Sequence, residues 1–231
     1  MGCDIHLYVE RRENGKWTLV REQVPNEEFG ECYDPHGTQL ISQYSPSGKH
    51  VNVFYNHRNY NFFAILANVR NRRGCAEMST RQGFKPISMP RGLPQDISPE
   101  IKQLSDWWGI DGHSHSWLTV QELIEYDWEQ TAVSYGVVTR PQYEEFVETG
   151  IRPDAYCEWI YGRNIEVVSP AEMEAIIADG ADDDETRYYV RIGWSWTYRE
   201  AVGDYVFDTL FPTLKALGDP DSVRIVFWFD N

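Results

Sequence analysis

Hydrophobic and polar positions alternate from the start of the chain. Cys3, Ile5, Leu7 and Val9 oppose Asp4, His6, Tyr8 and Glu10, and a period of two predicts a half-buried strand. Asn14-Gly15 follows; the pair suits the left-handed residues of a tight hairpin turn, so residues 17–21 read as the returning strand. Residues 22–49 are rich in Gly, Pro, Asp, Ser and Gln and read as a surface excursion, with a short extended piece at 51–55. The period then changes. Phe62, Ile65, Leu66 and Val69 fall at i, i+3, i+4 and i+7, one apolar stripe of a helix, with Asn59 or Asn61 to cap its start and Gly74 to end it.

Residues 75–95 read as irregular, and Ser98-Pro99-Glu100 opens a helix carrying Leu104, Trp107 and Trp108. Further helix starts are marked by a hydroxyl residue with Glu or Gln three places on: Thr119/Glu122, Thr139/Gln142, Ser169/Glu172 and Thr197/Glu200. In that device each side chain satisfies an N–H that the first helical turn leaves open. Gly150 and Gly180 close two of these helices. The acidic run 179–185 reads as a solvated loop, since its spacing lacks the order of a calcium loop. Residues 188–196 form a strand with Val190, Ile192, Trp194 and Trp196 on one face and Tyr189, Arg191 and Ser195 on the other. The helix from Thr197 should be interrupted by Pro212 and end at Gly218, before a last strand at 223–229 with Val223, Ile225, Phe227 and Phe229 on one face. Strands at both ends with helices between predict a single α+β domain over residues 1–231, with irregular excursions near 22–50 and 75–97. The sheet is mixed or antiparallel and joins the terminal strands.

Composition narrows the function classes. Of the 231 residues, 42% are hydrophobic and 14% aromatic, so the chain folds. No run of 18 apolar residues offers a membrane span, and the start of the chain lacks the features of a signal peptide, which points to the cytoplasm. Met1-Gly2-Cys3 resembles an acylation signal, but His6 stands where that signal carries Ser or Thr. The net charge of −15 opposes binding to DNA or RNA. It leaves room for a small phosphorylated ligand in a locally basic pocket. Cys3, Cys32, Cys75 and Cys157 are isolated in the sequence and read as free thiols.

Three groups of residues could carry chemistry. If the terminal strands share a sheet, the face away from the core gathers Asp4, His6, Tyr8, Tyr189, Arg191, Arg224, Trp228 and Asp230. That face reads either as a ligand surface or as a satisfied network under a second layer of helices. In Asp111-Gly112-His113-Ser114-His115 the two histidines are two apart, so an extended backbone turns both rings to one side. With Asp4 and His6 they would make a set suited to Zn, Mn or Fe; the plain alternative is a Gly/Ser loop with hydrogen-bonded histidines. In His57-Arg58-Asn59-Tyr60-Asn61, at a helix start, Arg58 can fork onto a phosphate, Asn59 can donate and Tyr60 can stack on a base. Capping explains Asn59 or Asn61 equally well. No phosphate-binding glycine loop, dinucleotide fingerprint or nucleophile elbow is present.

The opening Met-Gly-Cys-Asp-Ile-His, the His-Arg-Asn-Tyr segment with its helix, Asp-Gly-His-Ser-His-Ser and the closing Arg-Ile-Val-Phe-Trp-Phe-Asp-Asn together resemble a family of uncharacterised bacteriophage and bacterial proteins. The resemblance spans nearly the whole chain and implies a phage or prophage setting, inside a host bacterial cell, without an established activity. Small phage proteins often counter host defences that signal with nucleotides. The leading expectation is therefore a cofactor-free pocket for a nucleotide-like ligand, held for sequestration of a host immune signal. Its residues would be His6, Tyr8, Arg58, Asn59, Tyr60, His113, His115, Arg191 and Trp228, with Arg224 as a further phosphate contact. The rival is a metal-dependent phosphoesterase with Asp4, His6, His113 and His115 on the ion. A third expectation is a host-protein interaction module. None of the three excludes a homo-oligomer.

Overall fold

The computed structural model describes residues 2–20, 23–25, 50–52, 54–55, 57–71, 83–180 and 186–230. In chain order the strands and helices begin with β1 (Ile5–Glu13), β2 (Lys16–Leu19), β3 (Gln23–Pro25), β4 (His50–Asn52), α1 (Tyr60–Ala67) and α2 (Pro99–Trp108). They continue with β5 (His113–Thr119), α3 (Val120–Glu125), β6 (Thr131–Thr139), α4 (Arg140–Thr149), β7 (Ile165–Val168) and α5 (Pro170–Asp179). The chain closes with β8 (Arg187–Thr197), α6 (Tyr198–Val202), α7 (Phe211–Ala216) and β9 (Val223–Phe229). The excursion at 26–49, Gly74 and the acidic run at 181–185 lie outside the described residues.

The terminal strands pair directly. β2, β1, β9 and β5 form an antiparallel sheet in that order, with Ile5 opposite Phe229 and Val9 opposite Ile225. β1 turns into β2 through Asn14 and Gly15 at φ 50° and 80°, the two left-handed residues that such a hairpin requires. A second sheet, β6-β8-β7, is antiparallel between β6 and β8 and parallel between β7 and β8, while β3 pairs with β4. The fold is α+β, and no described helix is long and apolar enough to cross a membrane.

One face of the four-stranded sheet makes the main core. Cys3, Ile5, Leu7, Val9, Val223, Ile225, Phe227 and Phe229 pack with Phe62, Phe63, Ile65 and Leu66 of α1 and with Leu123, Leu210 and Leu214. Each fully buried side chain of this size contributes roughly 1.5–3 kcal/mol. All four sequence-marked helix starts form their reciprocal caps; in one, the Thr119 N–H donates to Glu122 Oε2 at 2.9 Å while the Glu122 N–H donates to Thr119 Oγ1 at 3.1 Å.

Two helix boundaries differ from the sequence reading. α1 stops at Ala67 because Asn68 takes the left-handed conformation, φ 60°, and its N–H caps the Ala64 carbonyl. The C-terminal helix breaks at Gly203, and a π-helical turn, Val206–Leu210, precedes α7. Pro212 therefore lies two residues past that widened turn, inside a helical run that continues from 204 to 216, and the π turn is the irregularity beside the proline's missing N–H and crowding ring.

The second face of the four-stranded sheet is covered. α2 lies over it, and Ile101 and Leu104 pack on Tyr8, Val226 and Trp228. This is the second-layer alternative rather than an open ligand surface. Arg224 and Glu10, 3% and 0% exposed, form an ion pair at 2.6 Å between Nε and Oε2. Arg224 also donates to Asp96 Oδ1 at 2.8 Å, and Glu10 Oε1 accepts the Ser98 N–H at 2.6 Å. The guanidinium of Arg224 is thus consumed internally, and no ligand phosphate meets it.

Candidate functional site

A groove of about 700 Å³ opens where the start of α1 meets the end of α6. Two asparagines build the junction. Asn59 accepts the Phe62 N–H on its side-chain oxygen at 3.1 Å and donates its amide to the Val202 carbonyl at 2.8 Å. Asn61 donates to the Ala201 carbonyl at 2.9 Å. The amides thereby cap one helix and satisfy the last carbonyls of the other. Rings form much of the lining: Tyr55, His57, Tyr60, Tyr156 and Tyr205. His57 meets Tyr205 edge-on at 4.3 Å between centroids, and Tyr55 lies 5.4 Å from His57. Burial, with the neighbouring Tyr205 phenol, pushes the Tyr55 hydroxyl well above its ordinary range, so it stays neutral. Arg58 is the one arginine or lysine among the described lining residues, and Asp204 the one aspartate or glutamate.

Arg58 is tied to the first strand. Its Nε–H donates to Asp4 Oδ1 at 2.8 Å and its Nη2 donates to Asp4 Oδ2 at 2.6 Å. That fork holds the Asp4 carboxyl below the usual carboxylate range. Asp230 carries the connection onward: Oδ1 accepts the Asp4 N–H at 3.0 Å, and Oδ2 lies 3.2 Å from His6 Nε2. Burial lowers the affinity of His6 for a proton, and Asp230 only partly restores it.

His6 enters a stack of rings beneath α2. Trp108 lies 4.0 Å and Trp228 5.9 Å from it between centroids. Tyr8 and His115 also stack on Trp228, at 5.1 and 5.5 Å, and His115 Nε2 is 2.9 Å from Ser105 Oγ of α2. Tyr8 and Trp228 are 5% and 0% exposed, so neither ring offers a free face to a ligand. His6, Tyr8, His115 and Trp228 do converge, as a packed layer.

His113 does not join them. Ser114 adopts φ 53° within a bulge that shifts the register of β5 against β9. His113 consequently stacks on Phe229, on the core side, while His115 stacks on Trp228, on the α2 side. The expectation that both imidazoles face one side is overturned, because a bulge inserts a residue and breaks the alternation. Among the described residues no three His, Cys, Asp or Glu side chains converge as metal ligands. Arg191 lies on the second sheet and donates to the Glu158 carbonyl at 2.9 Å. Of the sequence-derived ligand residues, Arg58, Asn59 and Tyr60 line the groove, and the others do not.

No known protein family matches this chain, and neither does any characterised protein or solved structure. The site is therefore read from its own residues. Tyr55, Tyr156, Asp204 and Tyr205 were missed in the sequence because they come from three separate parts of the chain. Only Gly203, which breaks the helix before Asp204 and Tyr205, carried a usable signal.

Proposed function

We propose that the groove at the start of α1 binds a small ligand with a flat ring and a phosphate-like anion, and that its task is to hold a signalling nucleotide. One observation carries this reading: a basic side chain, Arg58, shares a groove of about 700 Å³ with the rings of His57, Tyr60 and Tyr205. That volume lies within the range of about 300–1,000 Å³ usual for small-molecule sites. Guanidinium matches phosphate oxygens in a planar fork, and aromatic faces accept any base. The resemblance to phage proteins supplies the biological setting, sequestration of a host immune signal in the bacterial cytoplasm.

The test is a thermal-shift and calorimetric screen of the purified protein against cyclic dinucleotides, ADP-ribose derivatives and nucleoside monophosphates. A stabilising ligand should lose at least tenfold in affinity with Arg58→Ala or Tyr205→Ala and be recovered intact after denaturation. Recovery of a cleaved product would replace sequestration by the phosphoesterase reading. The absence of any shift, together with co-purification of a host protein, would replace it by the interaction-module reading.

A further inference from the structure

The positive charge in the groove is already matched. Asp4 meets Arg58 with both carboxylate oxygens, at 2.8 and 2.6 Å, the parallel arrangement that a ligand phosphate would itself seek. Gly2 lies against the same guanidinium: a Cβ there would come within 2.9 Å of Nη1 and 3.0 Å of Cζ. Arg70 donates to the Gly2 carbonyl at 3.2 Å. The Asp4 backbone is pinned on both sides, its N–H donating to Asp230 Oδ1 at 3.0 Å and its carbonyl accepting the Asp230 N–H at 3.2 Å. Asp4 therefore cannot leave by a movement of the strand end; only its side chain can turn away. The two side chains are 49% and 52% exposed, so solvent and ligand reach both.

We propose that Asp4 determines specificity by competing with ligand anions for Arg58, so that simple phosphate is refused while a ligand that also fills the aromatic wall displaces the carboxylate. The inference rests on the nucleotide reading of the groove. An incoming phosphate must take the Nε/Nη2 edge from Asp4 or share the guanidinium beside it. Either way it meets a like charge a few ångströms off, in a protein of net charge −15. Ring stacking is the part of the ligand's binding that Asp4 leaves untouched.

The experiment uses AMP and inorganic phosphate as probes, titrated calorimetrically at low salt into the wild type, Asp4→Asn, Asp4→Ala, Arg58→Ala and the Asp4→Asn/Arg58→Ala double variant. Removing one like charge about 4 Å away in water should tighten AMP binding about fivefold and bring phosphate binding into the measurable range. The gain should vanish in the double variant and shrink with added salt. Weaker or unchanged AMP binding in Asp4→Asn and Asp4→Ala would overturn the inference, since the carboxylate would then be orienting Arg58 or doing nothing. A second readout needs no nucleotide: mass-spectrometric labelling of Arg58 by phenylglyoxal should quicken severalfold in Asp4→Asn. If the wild type ignores AMP and every other nucleotide of the screen, the nucleotide reading falls. The competition stands if labelling and phosphate binding both rise in Asp4→Asn, and equal labelling in both proteins refutes it.

Discussion

Replacing Arg224 by Met tests whether the second face of the four-stranded sheet is sealed. Arg224 and Glu10 are 3% and 0% exposed and meet at 2.6 Å. The guanidinium also lies 4.1 Å from the Trp17 ring centroid. Met retains much of the apolar contact and deletes the charge. Glu10 would then keep the Ser98 N–H, at 2.6 Å, as a partner in the buried layer under α2. Leaving one member of a buried pair alone costs about 3–5 kcal/mol. For a chain of this size the melting temperature should fall by roughly 2–4 °C per kcal/mol, or about 6–20 °C. Urea unfolding followed by Trp fluorescence gives the free energy directly, with the denaturant slope unchanged if only native stability has altered. The Glu10→Gln/Arg224→Met double variant should regain about 2 kcal/mol, because the buried charge is then gone. A single-variant loss under about 1 kcal/mol would refute the reasoning and return this face to the status of a solvated, ligand-accessible surface.

Two further outcomes are expected. Burial holds His6 and His115 below the ordinary imidazole range, so between pH 6.5 and their native values the unfolded chain binds protons that the native protein does not. Stability should therefore be level between about pH 7 and 8 and decline as pH falls below about 6.5. Asp4, lowered by Arg58, should add a further loss only below about pH 4. Melting curves across pH 4–8 measure the decline, and a His6→Gln/His115→Gln variant that kept the full slope would contradict its assignment. Asn59→Ala removes both the α1 cap and the tie to the Val202 carbonyl, for a loss of roughly 1–2 kcal/mol by chemical denaturation. Asn59→Asp should recover part of this by restoring the cap oxygen, and equal losses in the two variants would show that the cap contributes nothing.

Much of the architecture was legible locally. Alternation in residues 3–10 and 223–229 identifies two strands each with one apolar face, and both faces meet in the main core. The Asn14-Gly15 turn and the hydroxyl–acid pairs at Thr119, Ser169 and Thr197 are short-range devices whose partners lie within three residues, so spacing alone reveals them. β6 escaped notice because Thr131–Thr139 presents mixed faces, Val133 and Tyr135 outward and Ser134 inward, and its pairing partner β8 is some sixty residues away. The groove was half visible: His57 to Asn61 stood out as a helix start, while Tyr156, Asp204 and Tyr205 had no pattern to mark them.

What the amino-acid order determined by itself was periodicity, caps and turns, because each depends on neighbours along the chain. What covers a face, and where a strand slips, depends on partners that arrive from elsewhere. α2 turned Tyr8, Glu10, Arg224 and Trp228 from a prospective ligand surface into a packed layer. The Ser114 bulge, set by pairing with β9, sent His113 and His115 to opposite sides of the sheet. The join between Asp4 and Arg58, 54 residues apart, exists only because the first strand runs beside the last and brings its end to the start of α1. Tertiary packing alone placed the acid against the base in the groove.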